Sequence, residues 1–80
     1  MNITIIYLEN EMLISKKEYY SWREIQDEYE TFKTSLGPWG AEDVIEYLSE
    51  EYTDIYPEAA TQVGSLVNAI INVAKVTFRS

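Results

Sequence analysis

The segment ITIIYL, residues 3–8, is mostly apolar on both of its alternating faces. A run of β-branched and aromatic residues of this length favours a β-strand. The turn-like tripeptide ENE follows, and then a second short apolar run at residues 12–14, so we predict a β-hairpin. Because a two-stranded ribbon is marginal by itself, and neither face here is polar, the rest of the chain must cover or extend it.

A helical pattern follows the hairpin. Apolar side chains recur every three or four residues in one stripe, made of Trp22, Ile25, Tyr29, Phe32 and Leu36. Capping-box spacings begin at Ser15 and Ser21, and Gly37 with Pro38 supplies a typical helix end. We therefore predict one helix over residues 16–36, followed by the tight connection GPWG, with Trp39 folded over a helix end as a lid on the core; an exposed tryptophan used for binding is the alternative.

Two more helices and a final strand complete the predicted fold. The helices span residues 41–53 and 57–73, with Pro57 as the first residue of the second. Their inner faces are formed by Val44, Ile45, Leu48 and Tyr52 and by Ala60, Val63, Val67 and Ile70. The segment KVTFR, residues 75–79, is predicted to join the hairpin as a third strand; a helix continuing to Phe78 is the alternative. The fold class is α+β, a single domain over residues 1–80 with an N-terminal β-hairpin, three helices and a three-stranded antiparallel sheet.

The residue types that are missing argue against an enzyme. The chain has no His and no Cys, which removes the commonest general base and the usual zinc ligands. Its three glycines, Gly37, Gly40 and Gly64, do not form a phosphate-binding loop, and no EF-hand pattern is present. We therefore predict no catalytic residues, no metal site and no cofactor.

Composition also bears on where the protein acts. No segment reaches the roughly 18 apolar residues that a membrane span needs, and the N-terminal run lacks the basic flank of a signal peptide. The absence of Cys fits a reducing compartment. We expect a cytoplasmic protein with no membrane contact.

Charge is the unusual property of the chain. Fourteen acidic and six basic residues give a net charge of −8. Residues 24–58 hold eleven of the acids and a single base, Lys33, so the charge is concentrated in one part of the sequence. A domain this acidic is repelled by nucleic acid and attracted to basic protein surfaces. We therefore expect a basic protein partner and no direct nucleic-acid binding.

The acids of the second predicted helix form a row. Asp43, Glu46, Glu50 and Asp54 follow one another at three, four and four residues, so they lie along one helical face, where each like-charged neighbour pair costs a few tenths of a kcal/mol. A row of regularly spaced negative charges resembles a phosphodiester strand, which carries one phosphate per about 3.4 Å of axial rise. Tyrosines, which are frequent at binding hot spots, are interleaved with these acids. The predicted partner-binding residues are Asp43, Glu46, Tyr47, Glu50, Glu51, Asp54, Tyr56 and Glu58, together with Glu24, Asp27 and Glu28 on the first helix.

The primary hypothesis is a DNA mimic that blocks the basic nucleic-acid-binding surface of a host protein. In charge, length and tyrosine–acid interleaving the chain resembles the small acidic inhibitors that phages and mobile elements encode. That class acts on nucleoid, restriction, repair and CRISPR components, so the resemblance implies a host-defence antagonist in the bacterial cytoplasm. It implies no role for any individual residue.

Two other interpretations remain open. The first is an antitoxin or a nuclease-immunity protein that neutralises a basic toxin, since TDIYPE, residues 53–58, resembles the tyrosine–proline stretch beside acids in colicin-type immunity proteins. The predicted strands do not fit the all-helical fold of that family. The second is a small scaffold protein whose acids are simply solvated. The apolar hairpin is also compatible with a homodimer.

Overall fold

A computed structural model describes residues 2–79 as one antiparallel sheet with helices on both faces. The elements are β1 (Asn2–Leu8), β2 (Met12–Ser15), α1 (Trp22–Glu28), β3 (Phe32–Gly40), α2 (Ala41–Glu51), α3 (Ala59–Asn68) and β4 (Val73–Lys75). The four strands lie in the order β3-β1-β2-β4. The predicted α+β class, with three helices and an antiparallel sheet, is confirmed. In the part of the chain that is described, no helix has the length and apolarity that a membrane crossing requires.

The predicted hairpin is present, and its two apolar faces explain the layered architecture. Ile5 pairs with Ile14 in β2, and the next residue, Ile6, pairs with Leu13. Side chains on a strand alternate between faces, so these two pairs point to opposite sides of the sheet. The first pair belongs to a core formed with α2 and α3, and the second belongs to a smaller core that α1 covers through Ile25.

The prediction of one helix over residues 16–36 is wrong. Only Trp22–Glu28 is helical, and residues from Phe32 to Gly40 form β3, which pairs with the free edge of β1. An apolar strand such as β1 needs backbone partners on both edges, and that tertiary pairing outweighs the helical spacing. The spacing still describes a true cluster in part, because Tyr29 and Phe32 pack with the α1 core. Trp22 is 52% exposed, and Leu36 packs on the opposite face of the sheet.

The GPWG segment is the end of β3 and not a tight connection. The register of β1 and β3 shifts between Ile3, which faces Trp39, and Ile5, which faces Leu36. One extra β3 residue is therefore accommodated there, as in a β-bulge. Gly37 lies in this irregular stretch with a φ of 97°, a conformation that side-chain-bearing residues rarely adopt.

The second half of the chain follows the predicted order with shorter elements. The helix predicted at 41–53 is α2, and the one predicted at 57–73 is α3, which begins at Ala59 and ends at Asn68. Ile70, predicted to face inward, is fully exposed beyond the end of α3. The predicted third strand does join the hairpin, as β4 on the edge of β2, but at Val73–Lys75 instead of residues 75–79. The last described residues form only an isolated bridge between Ile55 and Phe78, so the alternative of a helix there is wrong.

Candidate partner-binding surface on helix 2

Helix α2 turns one face to the core and the opposite face to solvent. Val44 and Leu48 are fully buried against the sheet and α3. The acids of the helix are all exposed, namely Glu42, Asp43, Glu46, Glu50 and Glu51. Acids in the first turn are favoured by the helix dipole, but those in the last turn are disfavoured, and that turn contains no base. The carboxylates at the C-terminal end therefore do not stabilise the helix.

Three of these acids share an open cavity with two aromatic side chains. Asp43, Glu46 and Glu50 line a cavity of about 320 Å³ together with Trp39 and Tyr47. The Trp39 and Tyr47 rings meet edge to face, with their centroids 5.4 Å apart. We call these five residues the acidic surface. Trp39, expected from the sequence to fold over a helix end, packs against the main core and also forms one aromatic wall of this surface.

Nearby cations do not neutralise the acidic surface. Within residues 2–79, the ion pairs are Lys17 with Glu28 at 3.1 Å and Lys75 with Glu11 at 3.5 Å. Neither involves α2. Its carboxylates are therefore compensated by solvent and mobile counterions, which a basic partner can displace.

Tyr47 is held in place by a cluster of three hydroxyl groups. The Tyr7 hydroxyl lies 2.9 Å from the Tyr47 hydroxyl and 3.0 Å from that of Tyr52. Burial raises the pKa of the Tyr7 hydroxyl well above its usual value, and its hydrogen bonds to Tyr47 and Tyr52 raise it further, so Tyr7 stays protonated. Three hydroxyl protons serve two hydrogen bonds, so one O–H remains free to donate outward. The cluster thus fixes the position of the Tyr47 ring, which packs against Trp39.

The remaining residues of the predicted row lie in the loop after α2. Asp54 is exposed but not helical, and its backbone carbonyl accepts a hydrogen bond from the Arg79 N–H at 2.7 Å. Tyr56 is 55% exposed, and the Arg79 guanidinium lies 5.1 Å from its ring centroid. Glu58 is exposed at the position preceding α3. This loop therefore extends the negative charge of α2, with one cation, Arg79, over its tyrosine.

The acids of α1 do not join the acidic surface. Because α1 packs on Ile6 and Leu13, Glu24, Asp27 and Glu28 lie on the other side of the sheet from α2. Glu24 accepts a hydrogen bond from the Tyr20 N–H at 3.0 Å. The carboxylate of Glu28 is paired with the ammonium of Lys17, and this hydrogen bond raises the Lys17 pKa. The single patch predicted over residues 24–58 is thus divided between the two faces of the molecule.

Two residues that form or support the acidic surface were not among the predicted site residues. Trp39 contributes a wall of the acidic surface, and Tyr7 positions Tyr47 from the sheet. The role of Tyr7 could have been predicted from the strand pattern. Tyr7 shares a strand face with the buried Ile3 and Ile5, and a hydroxyl group on a buried face needs a hydrogen-bond partner across the core.

Across residues 2–79, no group of three or more Asp, Glu, His or Cys side chains is arranged to hold a metal ion. The chain matches no protein-family model, no curated protein and no solved structure.

Proposed function

We propose that this protein is a small acidic inhibitor that mimics the charge of DNA and occupies the basic nucleic-acid-binding surface of a host protein. The observation that carries the proposal is the acidic surface, where Asp43, Glu46 and Glu50 are exposed, aligned and without a cationic partner among the described residues. Like charges in such a row oppose folding, so their concentration favours a role outside the fold.

The spacing of the row supports mimicry of a nucleic-acid strand. A helix rises about 1.5 Å per residue, so Asp43, Glu46 and Glu50 are displaced along the axis by about 4.5 Å and about 6 Å. Phosphates of one strand are displaced by about 3.4 Å along the duplex axis. A flexible Lys or Arg on the partner can follow either series, because contacts to phosphates need charge and not base edges.

The aromatic side chains add a rigid apolar contact area, which a phosphate backbone lacks. Trp39 and Tyr47 are large, rigid and fixed against each other beside the carboxylates. Aromatic side chains of this kind commonly supply most of the binding free energy at protein interfaces, while charges accelerate association and set specificity. The proposed inhibitor thus binds through an aromatic centre with an acidic rim, and it acts in the cytoplasm of a bacterial host.

The test combines affinity capture with competition by DNA. The tagged protein is used to capture partners from a bacterial lysate, and bound proteins are eluted with an excess of duplex DNA. We expect the eluted proteins to be DNA-binding proteins, and we expect their capture to fail with the triple variant Asp43→Asn, Glu46→Gln, Glu50→Gln. The matched control neutralises three exposed acids away from α2, in the variant Glu9→Gln, Asp27→Asn, Glu30→Gln. Partners that duplex DNA does not release, or that both triple variants lose equally, would contradict mimicry.

The same experiment separates the alternative of an antitoxin or immunity protein. A dedicated toxin would be captured as a single partner, and co-expression would protect cells from it. TDIYPE resembles a stretch of the colicin-type immunity proteins, whose fold is all-helical, and the four-stranded sheet is incompatible with that fold. The acidic charge of the chain is then the only observation that supports this alternative.

A further inference from the structure

The cavity in the acidic surface has two kinds of wall. Trp39, near the end of β3, and Tyr47, on α2, are half-buried, and their ring planes are inclined at 64° to each other. The rest of the lining comes from the exposed acids Asp43, Glu46 and Glu50. A volume of about 320 Å³ is at the lower end of the range for ligand sites, so it suits a single side chain of a partner.

The chain's own cations within residues 2–79 are engaged elsewhere or lie outside the cavity. Lys16 is bonded to the carbonyls at the end of α3, and Lys75 is paired with Glu11. Lys33, on β3, is not part of the cavity lining. Three cations lie over aromatic rings, between 5.1 and 5.6 Å from the centroids: Lys17 over Tyr19, Arg23 over Trp22 and Arg79 over Tyr56. A cation for the rings and carboxylates of the cavity therefore has to come from another molecule.

Arginine is the side chain whose chemistry matches both kinds of wall. Its guanidinium group is planar, so it stacks on aromatic rings, and its five N–H donors can bind two carboxylates at once. Glu46 and Glu50 are four residues apart on α2, so their Cβ atoms are about 5–6 Å apart and one guanidinium can reach both carboxylates. The ammonium group of lysine is a compact and strongly hydrated charge, which gains less from leaving water for an aromatic ring.

We propose that this cavity binds one arginine side chain of the partner, with the guanidinium group against the Trp39 and Tyr47 rings and its N–H groups donated to the carboxylates of Glu46 and Glu50. The walls recognise a group that is cationic, flat and rich in donors, and the guanidinium group combines these three properties. A trimethylated ammonium group carries the charge but has no N–H to donate to the carboxylates.

This inference rests on the proposed function for the kind of partner, and it deepens that function by naming the partner residue that the site selects. Mimicry of charge alone predicts no preference between arginine and lysine, because both serve as cations for phosphates. The aromatic pair beside the carboxylates adds such a preference. In the proposed target, the selected arginine is one that contacts a phosphate when DNA is bound.

The test uses Trp39 as a reporter. The chain has two tryptophans, so the Trp22→Phe variant leaves Trp39 alone. This variant is titrated at about 0.05 M salt with a peptide that repeats Gly-Arg, and with peptides of equal length in which lysine or trimethyllysine replaces arginine. We expect a saturable change in Trp39 fluorescence, with the arginine peptide bound about threefold to fivefold more tightly than either of the others. Calorimetric titration of the unmodified protein measures the same ratios if the reporter variant does not fold.

Two double variants of equal charge connect the binding to the cavity. Glu46→Gln with Glu50→Gln removes the proposed guanidinium acceptors and should weaken binding of the arginine peptide by about tenfold. Glu18→Gln with Glu30→Gln removes two exposed acids elsewhere and should weaken it by about twofold at most, through net charge alone. In calorimetric titrations, Trp39→Leu should bind the arginine and lysine peptides equally. The glutamine variants keep the proposal testable if Trp39→Leu does not fold, because their substituted side chains are exposed.

Three results would overturn the inference. They are equal affinity of the unmodified protein for the arginine and lysine peptides, equal weakening by the two double variants, and tighter binding of the trimethyllysine peptide, which would assign the cavity to a methylated ammonium group. None of them would contradict mimicry by charge alone. Conversely, captured partners that duplex DNA does not release would contradict mimicry, while selective binding of the arginine peptide would still establish the arginine site.

Discussion

The ammonium group of Lys16 donates a hydrogen bond to the backbone carbonyl of Leu66 at 2.9 Å, which closes the C-terminal end of α3 from fifty residues away. It also contacts the carbonyls of Val67 and Ala69, and the Lys16 N–H donates to the carbonyl of Asn72 at 2.8 Å. The last turn of α3 has no basic residue of its own. Lys16, the residue directly after β2, thus supplies the cation that a helix usually carries in its last turn.

Replacing Lys16 with methionine should lower the free energy of unfolding by about 1–2 kcal/mol. The methionine keeps much of the apolar stem but leaves three carbonyls without their donor and removes a charge that the helix dipole favours. Urea unfolding at neutral pH measures the loss. Lys33→Met is the matched control, because Lys33 is exposed on the edge strand and should lose little. Equal midpoints for the two variants would contradict the capping role.

Substituting alanine at Gly37 and at Gly64 should give opposite results. At Gly37 the φ is 97°, and a Cβ would lie 2.9 Å from the Trp39 backbone nitrogen and 3.0 Å from the Ile3 oxygen, so Gly37→Ala should cost about 1–3 kcal/mol. Gly64 lies inside α3, where an added methyl group would meet no neighbour within 4 Å, so Gly64→Ala should stabilise by about 0.5–1 kcal/mol. Thermal unfolding of both variants measures the difference. A Gly37→Ala variant as stable as the unmodified protein would show that the bulge relaxes.

The elements that could be predicted from the sequence are those with local causes. The β1–β2 hairpin follows from a run apolar on both faces and a short turn, and α2 follows from a regular stripe with acids in its first turn. The failure at residues 16–36 has a non-local cause. Whether Phe32 continues a helix or begins a strand depends on the free edge of β1, some twenty-five residues earlier in the sequence.

The acidic surface was likewise predictable only where its cause is local. The exposure of Glu46 and Glu50 follows from their position on α2 opposite Val44 and Leu48. The separation of the α1 acids from them does not, because it depends on which face of the sheet each helix covers. A single sequence specifies the periodicity of a helix, but the layer to which it packs is decided by the whole core.

The Tyr7 hydroxyl should contribute to stability through its two partners. Tyr7→Phe removes the central oxygen and leaves the Tyr47 and Tyr52 hydroxyls without this partner, which should cost about 1–2 kcal/mol. Tyr20→Phe removes a hydroxyl from a fully exposed side chain and should cost nothing measurable. If the two variants unfold at the same urea concentration, the hydroxyl cluster has no energetic role.

Stability should fall as the pH rises above about 10. Burial raises the pKa of Tyr7, and burial followed by the charge of Glu28 raises that of Tyr29, so both hydroxyls release their protons more readily in the unfolded chain. The unfolded state then binds fewer protons, and the free energy of unfolding decreases with pH. Urea unfolding between about pH 8 and about pH 11 measures the slope, which should be shallower in Tyr7→Phe. A slope that the substitution does not change would contradict the assignment to Tyr7.

Neutralising the acidic surface should stabilise the fold while it weakens the proposed interaction. Glu46 and Glu50 are four residues apart on α2, and Glu50 lies near the end of the helix that the dipole makes negative. Glu46→Gln with Glu50→Gln should therefore raise the free energy of unfolding by several tenths of a kcal/mol in about 0.02 M salt, and by less in about 1 M salt, where the repulsion is screened. The control pair Glu18→Gln with Glu30→Gln also removes two exposed charges, but neither residue lies in a helix, so no helical pair is relieved and the gain should be smaller. A loss of stability in the α2 variant would mean that these carboxylates serve the fold, and their repulsion would no longer favour a function outside it.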